Sequence, residues 1–448
     1  MTAIATVKNI ANQMKNPELV QKQILSSAIQ SSDQSAVWSS LTLSHGYPGI
    51  LMFFATLDEF FPDEKWDLIA HQYVIKIKEA IEAGENSDLS MFGGLTGSCL
   101  AIQQASKGKT RYQKLLNTLN SHLFNKVNEA YFDPIQEKID LNLPIHPSLY
   151  DAISGICGIG AYALKNLDHP LALPCLTKIL RMCTLLTRDI KIGSYLVPGW
   201  YIPAHYQFTE ADKKAYPKGN FNLGVAHGIP GVLAFLSISA MQGILVEGQM
   251  EAIEKITHWI YSKKKYNKET PYWTYRISFE EEILNMQEDF SEISMEAWCY
   301  GSAGIVRTLY LAGKALQNQE LQQTAIENYL PINSRININD HSTPTFCHGL
   351  AGVLTLTRLM AKDSKSADLE KFGNQLEQEL LNRYNPANIF GFKDKEITFL
   401  NNSVMKERRI VEVDKVGLLE GVSGILLALM TKHTNCFSWT YPFLIEGN

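Results

Sequence analysis

Three side chains in this 448-residue sequence combine types and spacing suited to holding a metal: Cys299, Cys347 and His348. Cys299 stands two residues ahead of Gly301, Cys347 two ahead of Gly349, and His348 lies between Cys347 and Gly349. Two thiolates and an imidazole make a soft-to-borderline donor set that suits zinc. Three protein ligands leave a fourth tetrahedral position for another molecule, as catalytic zinc sites require. His227, directly ahead of Gly228, shares the offset of His348 without a neighbouring cysteine. Imidazole gains or loses a proton near neutral pH, so His227 is a candidate acid or base. Asp151, four residues ahead of Gly155, could orient that imidazole, shuttle a proton itself, or cap a helix as aspartate often does. Tyr300, between Cys299 and Gly301, offers a phenol to a developing charge. Trp298 reads as packing or as a pocket wall. His45, which begins the first repeat across the ring from the trio, reads as structural.

The elements that must position these residues form a repeat. A Gly-x-x-Gly recurs seven times, its first glycines being Gly46, Gly94, Gly155, Gly228, Gly301, Gly349 and Gly421, at intervals of 48 to 73 residues. Each is followed by a run that is apolar nearly all round, as expected of a helix buried on most sides. Between them lie stretches with apolar residues at i, i+3 and i+4 and polar ones opposite: 66–83, 111–130, 171–188, 250–261, 320–330 and 367–384, with 17–31 ahead of the first. Seven buried helices thus alternate with seven amphipathic ones. The economical arrangement is an all-α closed ring spanning 1–448, with an inner barrel and an outer wall, since closure leaves no end repeat to cap; an open solenoid is the competitor. The connections at 190–220, 265–292 and 389–413 mix β-branched and aromatic residues with Pro, Gly and Asn, suggesting strands of an extension, a lid or a peptide-docking ledge. In superimposable repeats, equal offsets from the first glycine share one rim, which turns sequence offset into proximity for Asp151, His227, Cys299, Tyr300, Cys347 and His348.

Composition removes other classes of function. Lys plus Arg number 41 against 46 Asp plus Glu, and no segment gathers a basic footprint for nucleic acid. The N-terminus is too polar for a signal peptide, and apolar runs such as 232–246 are short and broken, so the expected location is cytoplasmic with at most peripheral membrane association. The seven cysteines are odd in number and far apart, which favours thiols or metal ligands over disulfides. Cys99, Cys157, Cys175, Cys183 and Cys436 read as small hydrophobes.

The strings Tyr150-Asp151-Ala152-Ile153-Ser154-Gly155, Ala226-His227-Gly228, Trp298-Cys299-Tyr300-Gly301 and Cys347-His348-Gly349, on seven Gly-x-x-Gly elements, resemble the LanC lanthionine synthetase C family, the cyclases of lantibiotic biosynthesis. The resemblance runs from about Leu43 to Met430 and implies an α/α toroid of seven inner and seven outer helices with a small strand-containing extension. It implies one zinc on Cys299, Cys347 and His348. It further implies a lanthipeptide cyclase that adds precursor-peptide cysteine thiols to dehydroalanine or dehydrobutyrine. His227 is then the first candidate to protonate the enolate, Asp151 or water the second, and Tyr300 a hydrogen-bond donor. The implied partners are a dehydrated precursor peptide, a dehydratase and an ABC transporter, the last two placing the protein at the inner face of the cell membrane. One departure stands out: family members commonly carry an arginine shortly before the tryptophan, where this chain has Met295 followed by Glu296. Two other readings are a LanC-like protein acting on glutathione or other thiols, and a zinc-stabilised scaffold without catalysis. A prenyltransferase-like barrel would need an aspartate ligand and a diphosphate-binding basic cluster, neither of which the sequence offers.

Overall fold

The run after each Gly-x-x-Gly has no polar face to offer water, and in the computed structural model each is a buried helix. The structure describes residues 2–30, 37–85, 88–286, 295–336, 343–402, 405–433 and 437–447; Ser31 and Cys436 lie outside them. The inner helices are Tyr47–Phe60, Leu95–Gln104, Ile156–Leu164, Ile229–Met241, Ser302–Ala315, Leu350–Ser364 and Val422–Met430. Along Ile229–Met241, Ile229, Val232, Leu233, Phe235 and Leu236 are sealed from solvent, each contributing about 2 kcal/mol of apolar burial. Pro48 and Pro230 fall in first turns, where the missing N–H would have had no helical partner.

The glycine pair has a packing reason. The first-turn N–H groups of Tyr47, Leu95, Leu350 and Val422 reach back to the carbonyls of Ser40, Asp88, Thr343 and Lys415 at 2.8–3.2 Å, so the loop ahead of the helix does the capping. That loop must lie against the first turn. A Cβ at Gly304 would sit 2.2 Å from the Trp298 carbonyl oxygen, and one at Gly231 would sit 2.3 Å from that of Val225.

The amphipathic stretches form the helices Pro17–Gln30, Trp66–Glu82, Gln113–Val127, Ala172–Leu185, Gln249–Ser262, Gln319–Tyr329 and Ala367–Asn382. Each buries one stripe; in Ala367–Asn382 it is Leu369, Phe372, Leu376 and Leu380.

The chain divides into two compact units, residues 1–88, 92–116 and 336–439 in the first, and 89–91, 117–335 and 440–448 in the second. In the first, Tyr47–Phe60 packs beside Leu95–Gln104 and Val422–Met430, and the latter beside Leu350–Ser364. The helix Ala3–Gln13, absent from the sequence expectation, packs on Val422–Met430 and buries a stripe that includes Ala3, Val7 and Ile10. The last inner helix therefore takes an outer neighbour from the N-terminus. In the second unit, Ile229–Met241 packs between Ile156–Leu164 and Ser302–Ala315.

Strands occur in the three connections where the residue mixture suggested them, as four separate antiparallel pairs. They are β1 (Asp189–Ile192) with β2 (Tyr195–Pro198), β3 (Asn220–Asn222) with β6 (Arg276–Ser278), β4 (Lys265–Asn267) with β5 (Thr270–Tyr272), and β7 (Asp394–Asn402) with β8 (Met405–Val413). The β3–β6 register sets Asn222 opposite Arg276.

Candidate functional site

In the second unit, the loops ahead of successive inner helices are laced by backbone hydrogen bonds. Ala152 N–H donates to Ala226 O at 3.2 Å, and Val225 N–H donates to Cys299 O at 2.9 Å. Equal offsets therefore lie side by side here, as the repeat register implied. His227 Nδ1 lies 2.7 Å from Asp151 Oδ2. Asp151 Oδ1 accepts from the N–H groups of Ser154 at 2.6 Å and Gly155 at 2.9 Å. Asp151 thus holds the N–H groups of the loop that enters Ile156–Leu164 with one oxygen and meets the imidazole with the other. Its side chain is fully sealed, whereas that of His227 is 28% exposed, so a reachable imidazole rests on a carboxylate that water does not reach. A carboxylate at Nδ1 favours the Nδ1–H tautomer and leaves Nε2 as the outward nitrogen. Phe208 covers one side of the ring, at a centroid distance of 5.0 Å.

Cys299 is buried and Tyr300 half-buried on the neighbouring loop. The Tyr300 phenol accepts from Asn222 Nδ2 at 3.1 Å. Burial pushes that phenol up to about 12, with the Asn222 hydrogen bond and the Arg276 charge pulling the other way. Trp298 is sealed and its indole N–H donates to Phe443 O at 2.9 Å, which makes it packing. Met295 is exposed. Glu296 is buried, accepts from Ala303 N–H at 3.1 Å and pairs with Arg335 at 2.8 Å. Burial raises its carboxyl against the pull of Arg335.

The first unit repeats the lacing. Cys347 N–H donates to Leu419 O at 2.9 Å, Leu418 N–H to Leu43 O at 3.0 Å, and Ser44 N–H to Phe92 O at 3.3 Å. Cys347 and His348 are both partly exposed at the entry to Leu350–Ser364. In this order the His45 loop follows the Leu419 loop and comes two repeats along from Cys347. His45 Nε2 lies 3.0 Å from Glu420 Oε2, and Glu420 also receives Lys415 Nζ at 2.8 Å. The buried Lys415 ammonium further pairs with Asp394 at 3.0 Å and with Glu396. Burial would raise the Glu420 carboxyl, but the His45 hydrogen bond and the Lys415 charge outweigh it and hold the group well below the carboxylate range. With a lysine at its centre, this carboxylate cluster is an ion-pair network.

Cys99, Cys157, Cys175 and Cys183 are buried, as small hydrophobes should be, and none of the six described cysteines forms a disulfide. Burial pushes the Cys175 thiol up to about 12. Sequence reasoning missed Asn222 and Lys415. Both stand six residues ahead of a first glycine, Gly228 and Gly421, but at that offset the other repeats carry Ser40, Asp88, Leu149, Met295 and Thr343, which share no chemistry that would mark the position.

The family described as lanthionine synthetase C-like protein matches residues 37–438. Nisin biosynthesis protein NisC of Lactococcus lactis subsp. lactis is 26% identical over 416 residues, covering 90% of this chain and 88% of NisC. The solved structure of a nisin cyclase matches with a TM-score of 0.74 at 23% identity, covering 96% of this chain and 97% of the other. That likeness is one of fold, and it bears out the α/α toroid. Among the described residues no helix is long and apolar enough to cross a membrane. A match that begins ahead of the first Gly-x-x-Gly and runs past the last leaves a single reading of ancestry: the chain belongs to the lanthionine synthetase C-like family.

Proposed function

We propose that this protein closes thioether rings in a dehydrated precursor peptide, adding cysteine thiols to dehydroalanine or dehydrobutyrine to give lanthionine or methyllanthionine. Family membership and the relation to a nisin biosynthesis protein support the reaction class. The observation that carries the mechanism is the His227–Asp151 pair beside the loop of Cys299 and Tyr300.

The reaction balances without an oxidant or reductant. A substrate thiol loses its proton, sulfur bonds to the β-carbon, the π pair moves to give an enolate, and the α-carbon takes up a proton. Cys299, Cys347 and His348 are a candidate metal-ligating set, and two thiolates with an imidazole fit zinc, one ligand short of a tetrahedral shell. Zinc held there supplies acidification of the substrate thiol near neutral pH. His227 takes up a proton at Nε2 while the sealed Asp151 carboxylate steadies the imidazolium, and it returns a proton to the α-carbon. Both Asp151 oxygens are already engaged, which favours His227 over Asp151 as the donor. Tyr300 donates its phenol hydrogen to the enolate oxygen. On this reading the partners are the precursor peptide, a dehydratase and an export transporter, and the chemistry takes place on the cytoplasmic side.

The test is incubation of the purified, zinc-supplemented protein with a dehydrated precursor peptide, followed by alkylation of remaining thiols and mass spectrometry, since cyclisation itself leaves the mass unchanged. Loss of alkylatable thiols in the presence of protein supports the cyclase. Persistence of every thiol overturns it, and consumption of added glutathione in place of peptide thiols would move the activity to free thiols.

A further inference from the structure

The hydrogen bond into Tyr300 has a direction that the surrounding backbone fixes. Asn222 is the last residue of β3 and is buried. Its Oδ1 accepts the Gly224 N–H at 2.7 Å. A backbone N–H can only donate, so the amide cannot be turned end for end without facing two donors at each other. The other end of the amide is then the NH2, and it donates to Tyr300 Oη at 3.1 Å. Having an N–H as its partner there, the phenol keeps its own hydrogen for an acceptor elsewhere.

The local packing is built around this contact. A Cβ at Gly224 would lie 2.4 Å from the Tyr300 ring and 2.8 Å from Cys299 O, so a side chain at 224 would push the Cys299–Tyr300 loop away. A Cβ at Gly228, next to His227, would lie 2.2 Å from Asn222 O and 2.7 Å from its Oδ1. Asn222 thus lies at the base of both the His227 loop and the Tyr300 phenol. Across the sheet its partner is Arg276, tied to Asp212 at 3.2 Å.

We infer that Asn222 is a positioning residue that sets Tyr300 as a hydrogen-bond donor toward the reacting peptide, with Gly224 as the fixed donor that sets Asn222. The inference rests on the reading of Tyr300 given above. It names a residue that touches no reacting atom yet decides which way the phenol hydrogen points.

Asn222→Asp separates polarity from shape. One carboxylate oxygen still accepts from Gly224, but the other can only accept, so it draws the Tyr300 hydrogen inward. Asn222→Asp is expected to keep the wild-type melting temperature and zinc content while ring closure slows on the order of 10- to 100-fold, with the loss in kcat and little change in KM. In a Tyr300→Phe background the same substitution is expected to cost no further rate. Difference Raman spectra of the tyrosine ring, wild type minus Tyr300→Phe, should show a phenol that accepts from a protein donor, and one that donates inward in Asn222→Asp. An Asn222→Asp protein with wild-type kcat overturns the inference, as does an equal loss in the Tyr300→Phe background. Wild-type protein that closes no ring, with the Raman signature intact, overturns the cyclase reading itself and leaves only the hydrogen-bond polarity standing.

Discussion

Asp151 divides its carboxylate between two loops: Oδ2 meets His227 Nδ1 at 2.7 Å, and Oδ1 takes the N–H groups of Ser154 and Gly155. One side chain therefore couples the entry of one inner helix to the imidazole at the entry of the next. Asp151→Asn separates the two jobs. The amide oxygen continues to cap, while the amide NH2 faces Nδ1 and forces the proton onto Nε2. The expected result is a folded, zinc-loaded protein whose ring-closure rate falls about 10²- to 10⁴-fold, measured in single turnover, with circular dichroism as the folding control.

Cys347→Ala removes one of the two proposed thiolate ligands while leaving the backbone bond from residue 347 to Leu419 O in place. Metal analysis should show zinc falling from one per chain to near none, with the melting curve lowered and ring closure abolished. A variant that is both zinc-free and fully active would remove the trio from the mechanism.

The Lys415 network gives a pH dependence with a definite sign. The Glu420 carboxyl is held well below its ordinary value of 4.5, so on acidification the unfolded chain binds a proton that the folded chain resists. Its contribution is complete above the ordinary value and drains as pH falls toward the folded one. Urea midpoints of wild type should decline from about pH 5 downward, and those of Glu420→Gln should decline less steeply. At neutral pH Glu420→Gln should be less stable by about 1–3 kcal/mol, since His45 and Lys415 each lose a charged partner.

At Gly304 an added methyl would meet the Trp298 carbonyl at 2.2 Å. Gly304→Ala should cost about 1–3 kcal/mol in urea unfolding. Because the displaced loop carries Cys299, zinc should be retained less firmly against a chelator than in wild type. Ala303→Gly, one residue away without that contact, serves as the comparison.

The inner helices were legible because their signal is local. A run such as Ile229–Ser239 is buried without a break, so its composition alone marks it. The outer helices showed through their i, i+3, i+4 stripes for the same reason. The stripe of Ala3–Gln13 is present in the sequence too, in a segment too polar for a signal peptide and outside the alternation with Gly-x-x-Gly that marks the other outer helices. Offsets from the first glycine found His227 and Cys299 because backbone bonds between loops turn offset into neighbourhood. Asn222 was out of reach, since its role depends on the Gly224 turn and on Tyr300, 78 positions away. The His45–Glu420 pair, 375 positions apart, joins the first repeat to the last, and no local pattern states which charges will meet.

The lacing of the pre-helix loops has a further consequence. The bonds that join them run through main-chain N–H and C=O groups, which every residue except proline carries. The place directly ahead of the first glycine is held by His45, Gly93, Ser154, His227, Tyr300, His348 and Glu420 in turn. Imidazole, hydroxyl, phenol, carboxylate and bare hydrogen all occupy equivalent mounts on one backbone. Such a frame lets new reactivity be installed by exchanging single side chains at Gly93 or Ser154, with the architecture inherited unchanged.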